Sequence, residues 1–317
     1  MSISMKLLSW IDKSKLNWDK VCQNINSIEL LKENPEKINW HYLSSNPNAV
    51  DILKENPDKI SKFFIAFNPN IINIVSEDEL DLFKLSENPN AIKYLRKNPD
   101  KIDYFYLSAN PNAIELLEEN EKEIYWDRLS ANPNAIELLK RNQDKINWEW
   151  LSDNPNAIEI LKENIDNIDW YFLSANPNAI ELLKANPDKI DWYQLAINPN
   201  AIELLKANPE NSYWPGISAN PNAIQLLKDN LDKIDWNELS TNTNPEAMEI
   251  LKENQDKINW ETFSKNPAIF TYDYEKMRNS NLTLKEEIIA VALHPKRIFR
   301  LIEEYGEEEI YNIYFDE

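Results

Sequence analysis

The stretch SANPNAIELLKANPDKIDWYQLAINPNAIELLKANPE, residues 174–210, contains nearly the same text twice. Both copies include Asn-Pro-Asn-Ala followed by Ile-Glu-Leu-Leu. If the first Asn of each such block is taken as an anchor, Asn176 and Asn198 stand 22 residues apart. A short unit repeated at a fixed period is typical of solenoids, in which each repeat packs only on its neighbours.

The same unit recurs along nearly the whole chain. Its spacing is 22 residues, except for 20 before Asn88 and 24 before Asn244. The anchors are Asn24, Asn46, Asn68, Asn88, Asn110, Asn132, Asn154, Asn176, Asn198, Asn220, Asn244 and Asn266. The sequence therefore predicts an N-terminal cap or half-repeat at 1–23, a helical repeat solenoid over 24–266, and a helical C-terminal cap with an acidic tail over 267–317.

Positions counted from the anchor predict two helices per repeat. The anchor Asn is a favoured N-cap, and Pro at offset +1 suits a first helical turn. Ala at +3, Ile at +4 and Leu at +7 share one face, and Asn-Pro at +10 and +11 ends the helix. Asp or Asn at +15 then caps a shorter helix, whose Trp +16, Leu +19 and Ser +20 point inward. The recurrent Asn side chains are predicted to cap helices and to bond along the stack.

These patterns predict an all-α fold, an α-solenoid of about twelve 22-residue two-helix repeats with a helical C-terminal cap. Leucine-rich repeats have a similar period, but they need an L-x-L alternation that this chain lacks. With neighbouring helices about 8–10 Å apart, twelve repeats would form a rod or arc on the order of 100 Å long. Pro215 and Gly216 are expected to shorten or bend a second helix, and the insertion before Asn244 to lengthen a turn.

The C-terminal cap is predicted from helix signals. Thr283–Glu286 fits a capping box that opens a helix reaching Leu293, and Gly306 suits the end of a further helix.

Composition limits the classes of partner. The chain has 34 basic and 54 acidic residues, a formal net charge of −20. Such a surface disfavours nucleic acid and anionic membranes and favours a basic protein partner. No apolar run reaches the length of a membrane span, and the single Cys22 fits a reducing compartment without internal disulfides. With only two glycines, the chain has little material for phosphate-binding loops, so no small-molecule ligand is expected.

The repeat pattern N-P-N-A-I-E-L-L-K-E-N-P-D-K-I-(D/N)-W-x-x-L-S resembles tandem repeats in predicted proteins of giant DNA viruses of amoebae, such as mimiviruses and marseilleviruses. The run 266–306 is similar to the ending that those proteins share. The resemblance covers nearly the whole chain and implies a helical-repeat fold and a place in the virion or the host cytoplasm, but no mechanism. A weaker likeness, of shape only, is to the leucine-rich repeat variant, which alternates α and 3-10 helices.

No residue pattern points to catalysis. His41 and His294 lack a further His or a Cys at zinc-ligand spacing, and nothing marks Cys22 as a nucleophile. The acidic side chains recur from repeat to repeat, which is typical of surface charges and caps. We therefore predict a protein that is not an enzyme and has no cofactor and no metal. An enzyme with an unrecognised site is the remaining alternative.

The strongest functional signal lies where the repeat varies. Aromatic residues crowd offsets +17 and +18 of the second helices from about residue 41 to 193 and then disappear. Variable side chains on a constant frame are the usual recognition face of a solenoid. The predicted protein-binding residues are Tyr42, Phe64, Tyr106, Trp150, Tyr171, Phe172 and Tyr193. We predict that this ridge docks a protein partner or a second copy of the chain. The alternatives are packing within the molecule, and a virion component that serves only as a stiff spacer.

Overall fold

The computed structural model describes residues 4–75, 85–280, 293–307 and 310. It divides into two compact bodies, one of residues Leu7–Phe270 and one of Met1–Lys6 with Thr271–Glu317. Most described residues are helical, and helices that are neighbours along the chain pack in order. The predicted all-α repeat fold is thus confirmed.

Outside the repeat of Asn68, the repeats that are described in full contain a 3-10 helix between two α-helices. In the repeat of Asn176 the three are Ile180–Ala185, Pro187–Lys189 and Trp192–Ile197. The first helix begins at offset +4 and not, as predicted, directly after the anchor. The Asn176 side chain accepts a hydrogen bond of 3.0 Å from the Asn178 N–H, which makes a turn before the helix starts. The helix ends at Asn186, in the second Asn-Pro pair of the repeat, as predicted.

The first and second α-helices have regular bounds. The first helices are Ile28–Glu33, Val50–Glu55, Ile92–Lys97, Ile114–Glu118, Ile136–Arg141, Ile158–Glu163, Ile180–Ala185, Ile202–Ala207, Ile224–Lys228 and Pro245–Glu253. The second helices are Trp18–Gln23, Trp40–Ser44, Lys62–Ile65, Tyr104–Ala109, Trp126–Ser130, Trp148–Asp153, Trp170–Ala175, Trp192–Ile197, Trp214–Ala219, Trp236–Leu239 and Trp260–Phe263. The predicted cap at +15 is confirmed where it is polar. For example, the Asp191 carboxylate accepts from the Gln194 N–H at 2.9 Å.

The 3-10 helices connect the first and second α-helices of the repeats. Those that precede a second helix are Lys13–Lys15, Pro35–Lys37, Pro57–Lys59, Pro99–Lys101, Glu121–Glu123, Gln143–Lys145, Ile165–Asn167, Pro187–Lys189, Pro209–Asn211, Leu231–Lys233 and Gln255–Lys257. Further 3-10 helices follow three anchors, at Ile71–Asn73, Pro89–Ala91 and Pro267–Ile269.

The core of the repeats combines leucine with buried polar side chains. Leu183 and Leu195 are fully buried, and so are Ser174 and the anchor Asn176. The Asn176 amide donates to the carbonyls of Ser152 and Asn154 in the preceding repeat, both at 3.0 Å. The Ser174 hydroxyl accepts a bond of 2.9 Å from the Asp191 N–H in the next repeat. The anchors therefore bond along the stack, so their burial leaves these polar groups paired.

The expected shortening at Pro215 and Gly216 is wrong. The helix Trp214–Ala219 has six residues, as many as the preceding second helix Trp192–Ile197, because Pro215 stands in its first turn, where no N–H is needed. A Cβ on Gly216 would lie 2.8 Å from the Cβ of Ala196. Glycine here permits a close approach between two second helices.

The structural anchor of the eleventh repeat is Asn242 and not Asn244. The Asn242 amide donates to the carbonyls of Ser218 (2.9 Å) and Asn220 (3.1 Å), as the other anchors do. Asn244 instead donates to the Pro221 carbonyl, the bond made by the second Asn of each block. The two extra residues lie in the helix Pro245–Glu253, which has nine residues, so the insertion lengthens a helix and not a turn.

The row of repeats closes on itself within Leu7–Phe270. The Asn24 amide donates to the carbonyls of Ser264 (3.3 Å) and Asn266 (2.9 Å). The Asn17 N–H donates to the Ser264 hydroxyl at 2.9 Å. Bonds of the same two kinds join most other neighbouring repeats in the described part of the chain, as the Asn176 amide and the Asp191 N–H show. The predicted rod or arc is therefore corrected: the repeats form a closed ring, in which residues 7–23 stand beside the last anchor.

A short strand pair accompanies the closure. The strands are Met5–Leu7 and Phe270–Tyr272, and they form a two-stranded sheet that the sequence analysis did not predict. Beside them, the Leu8 N–H donates to the Ile269 carbonyl at 2.9 Å.

In the second body the described helices are Tyr274–Ser280 and Pro295–Tyr305. The latter ends, as predicted, before Gly306, which has a φ of 95°. The capping box predicted at 283–286 lies outside the described residues.

Candidate functional site

The second helices form the inner row of the ring. Neighbouring second helices pack directly on one another, as Trp148–Asp153 does on Trp170–Ala175. In the described part of the chain, neighbouring first helices make no comparable contact. In a closed ring the more closely spaced row has the smaller radius. The second helices therefore surround the ring axis, and the first helices lie outside them.

Offsets +17, +18 and +21 of the second helices face away from the core. Helical periodicity places them opposite +16, +19 and +20, which pack inward. We call these side chains the inner wall. Twelve helix positions spaced by 8–10 Å, less one helix diameter, leave an opening of about 20 Å.

The seven predicted residues all lie on the inner wall, but they differ in exposure. Trp150, Tyr171 and Tyr193 are exposed, with 40%, 45% and 51% of their surface accessible. The other four are half-buried, namely Tyr42, Phe64, Tyr106 and Phe172. The structure thus brings the predicted residues to one surface, and only part of them is free to meet a partner.

Contacts between rings explain the half-burial. The Tyr42 and Phe64 rings lie 5.5 Å apart between centroids, and Trp150 stacks on Phe172 at 6.3 Å. Each of these pairs joins offset +18 of one repeat to +18 of the next. Packing within the molecule therefore accounts for part of the aromatic pattern. It does not account for the exposed rings.

The sequence analysis missed other apolar residues on or beside the wall. Phe67 and Ile197, both at +21, are exposed. Tyr125 occupies the cap offset +15, is 52% exposed, and lies 5.5 Å from the Phe105 ring. Tyr213 stands at the same offset and lies 4.3 Å from the Tyr193 ring. The variation of the +21 column, just before each anchor, was the available signal.

Charged groups on the wall show that it is concave. The Arg128 guanidinium lies 4.8 Å from the Phe105 ring centroid. It also pairs with Glu87 at 3.3 Å, although one whole repeat lies between the two. Partial burial raises the pKa of the Asp153 carboxyl, at +21 beside Trp150, above its ordinary value.

The wall is apolar over only part of its circumference. Around the closure its side chains are polar or charged, and they are Asn237, Glu238, Thr241, Glu261, Thr262, Lys265, Asp19, Lys20 and Gln23.

The candidate chemical residues have structural surroundings. Cys22 stands at a serine position of the repeat, and its sulfur accepts a bond of 3.3 Å from the Asn39 N–H. Burial raises the pKa of its thiol to about 11. The His41 Nδ1 lies 3.0 Å from the Ser61 hydroxyl. Among the described residues, no group of three His, Cys, Asp or Glu could hold a metal ion. None of the described helices has the length and apolarity to cross a bilayer.

Comparisons with known proteins found no family model that matches the chain, and no curated protein or solved structure with a significant match.

Proposed function

We propose that the protein is a non-enzymatic scaffold and that the inner wall of its ring of repeats docks a protein partner. The observation that carries the proposal is the exposure of Trp150, Tyr171 and Tyr193 on an otherwise regular frame. Exposed aromatic side chains are common anchors of protein interfaces, since they bury a large apolar area with few rotatable bonds.

The partner that fits is a basic protein with an apolar segment narrow enough to enter the opening. The net charge of −20 attracts a basic surface. The aromatic arc of the wall provides the apolar contact. The resemblance to giant-virus proteins adds the proposal that docking takes place in the virion or the host cytoplasm.

Ring closure favours this function over the stiff spacer. A spacer built from stacked repeats holds two partners apart, one at each end of the row. In the closed row the first anchor bonds to the last, so neither end of the row is free to extend a rod.

Site-specific photo-cross-linking tests the proposal. We would place a benzophenone amino acid at Trp150 and Tyr193, and in a matched protein at Ile165 and Leu231. The control residues have similar exposure, 47% and 54%, but belong to 3-10 helices away from the inner wall. In the cells that naturally make the protein, the wall positions should cross-link one basic protein that the control positions do not.

Binding of that purified partner gives the quantitative test. Trp150→Ser with Tyr193→Ser should weaken binding at least about tenfold, because aromatic anchors dominate interface energy. Ile165→Ser with Leu231→Ser should change it less than about twofold, and circular dichroism should be unchanged in both. Equal cross-linking from both pairs of positions, or none from the wall, would refute docking there. Cross-links only between copies of the chain would identify the partner as a second copy and overturn the basic partner.

A further inference from the structure

Some junctions between repeats hold a lysine ammonium group against an aromatic side chain. We call such a place a seat. In several repeats the lysine at +13 lies over the tryptophan at +16 of the preceding repeat, within reach of a cation–π interaction. The pairs are Lys59 on Trp40 (4.6 Å), Lys145 on Trp126 (4.5 Å), Lys233 on Trp214 (4.9 Å), Lys257 on Trp236 (4.3 Å) and, across the closure, Lys15 on Trp260 (5.4 Å). In these five places the face of the tryptophan at +16 is therefore covered by a lysine ammonium group.

One seat departs from this pattern at both residues. The ring at +16 is Tyr104, and offset +13 of the next repeat is Glu123 in place of lysine. The two residues line an open cavity of about 430 Å³, together with Asp100, Asp103 and the exposed Tyr125. We call this cavity the Tyr104–Glu123 slot.

The charges in the slot are not balanced. Its lining contains three carboxylates, on Asp100, Asp103 and Glu123, and one ammonium, on Lys101. Among the described residues, none of the three carboxylates forms an ion pair within 4.0 Å. One oxygen of Asp103 accepts the Phe105 N–H at 3.0 Å as a helix cap. Lys101 and Tyr104 belong to the same repeat. A lysine at +13 corresponds to the +16 ring of the preceding repeat, so Lys101 is not the counterpart of Tyr104.

Within the slot, the Tyr104 phenol lies near the Glu123 carboxylate, and Tyr125 supplies a second aromatic ring. Burial and then the Glu123 charge raise the pKa of the Tyr104 phenol. Tyr125 contacts the Phe105 ring at 5.5 Å, so the slot adjoins the inner wall. A cation entering the slot meets an aromatic ring and an unpaired carboxylate together.

We propose that the Tyr104–Glu123 slot binds the ammonium group of a lysine side chain supplied by a protein partner. In five sister junctions the chain's own lysine occupies the corresponding place, and here the opposite charge stands at that offset. This inference goes beyond the proposed function, because the slot uses offsets +13 and +16 and its test does not involve the inner wall.

The test uses two short peptides of Gly and Ser around one central residue, which is lysine in the first and norleucine in the second. Binding to the full chain is followed by NMR of the ring signals of Tyr104 and Tyr125. Saturable shifts at millimolar peptide are expected with lysine and not with norleucine. Glu123→Lys restores the residue used in sister repeats, so the fold should persist and the chain's own ammonium should fill the slot.

The matched control is Asp188→Lys, which makes the same change of charge on the corresponding 3-10 helix of another repeat. It should bind the lysine peptide within about twofold of the unmodified chain, whereas Glu123→Lys should abolish the shifts. Tyr104→Trp, which keeps an aromatic face, should preserve binding. Equal shifts from both peptides, no shifts from either, or unchanged binding in Glu123→Lys would overturn the proposal. Because the cross-linking experiment does not depend on this slot, failure of one proposal leaves the other open to its own test.

Discussion

The side-chain amide of Asn24 donates a hydrogen bond of 2.9 Å to the backbone carbonyl of Asn266, 242 residues further along the chain. Asn176 makes the same bond with Asn154, its immediate neighbour in the row. The closure is therefore an ordinary junction between repeats and needs no special contact. Twelve equal junctions close a flat ring only if each turns the chain by about 30°.

Spin labels at corresponding offsets test the closure. Asp19 and Glu261 both stand at +17 on either side of the closing junction, and Asp127 and Glu149 are the same pair at an internal junction. With Cys22 replaced by serine, cysteine pairs at these sites should give similar distance distributions by pulsed electron resonance, both below about 30 Å, because neighbouring helices are 8–10 Å apart.

The internal pair is the control for label and linker. An open rod of the predicted length would keep the internal distance and remove the short distance between Asp19 and Glu261. That result would contradict the ring.

The anchors are expected to contribute much more to stability than the second Asn of each block. Asn154 is buried and donates to the carbonyls of Ser130 and Asn132, both at 3.0 Å. Asn154→Ala should lower the free energy of unfolding by about 2–4 kcal/mol, because two buried carbonyls lose their donor.

Asn156 provides the matched control, because it is an exposed Asn two residues away with one bond, to the Pro133 carbonyl at 2.9 Å. Its replacement by alanine should cost less than about 1.5 kcal/mol. Urea unfolding followed by circular dichroism measures both, and equal losses would show that burial of the anchor is not what matters.

Local signals explain what the sequence predicted well. The stop of the first helix at the second Asn-Pro pair and the polar caps of the second helices depend on a few adjacent residues, and both are confirmed. The start of the first helix was misplaced because the anchor Asn uses its side chain for a turn. The Asn-Pro pair at Asn244 was mistaken for an anchor, although the strict 22-residue spacing from Asn220 points to Asn242.

Closure could not be derived from these local patterns. It depends on the angle by which each repeat is rotated relative to the next, and a small error in that angle accumulates over twelve repeats. The sequence did contain one clue: the row of repeats starts with a second helix, at Trp18–Gln23, and ends with an anchor at Asn266. The positions of the candidate site followed from helical periodicity, but exposure did not, because rings such as Phe172 are partly covered by the next repeat.

Cys22 is expected to behave as a structural thiol. Burial keeps it protonated and raises the pKa of the thiol to about 11 from an ordinary 9.0, although the hydrogen bond that the sulfur accepts from the Asn39 N–H acts in the opposite direction. At pH 8 it should react with a disulfide reagent only when the chain is unfolded in urea, whereas a cysteine at the exposed Asp19 should react at once. Fast reaction of the native protein would contradict this assignment.

The same shift gives a stability prediction with a defined sign. Below pH 9 the thiol is protonated in both the folded and the unfolded chain, so its contribution is fully present. Between pH 9 and 11 the unfolded chain loses the proton more readily, and that contribution is lost as the pH rises. Cys22→Ser carries no titrating group at this site. The difference in unfolding free energy between the two proteins should therefore shift in favour of Cys22→Ser across this window, and a constant difference would contradict the prediction.

Gly216 and Ala196 are expected to be energetically coupled. Gly216→Ala would bring two Cβ atoms to 2.8 Å and should cost about 1–3 kcal/mol, since the junction between the two second helices cannot open without disturbing its neighbours. Ala196→Gly removes the nearest of the colliding atoms. In that background Gly216→Ala should cost less, although the Tyr213 ring (3.1 Å) and the Ile197 side chain (3.2 Å) limit the recovery. A double-mutant cycle by urea unfolding measures the coupling, and strictly additive losses would show that the glycine is not needed for this approach.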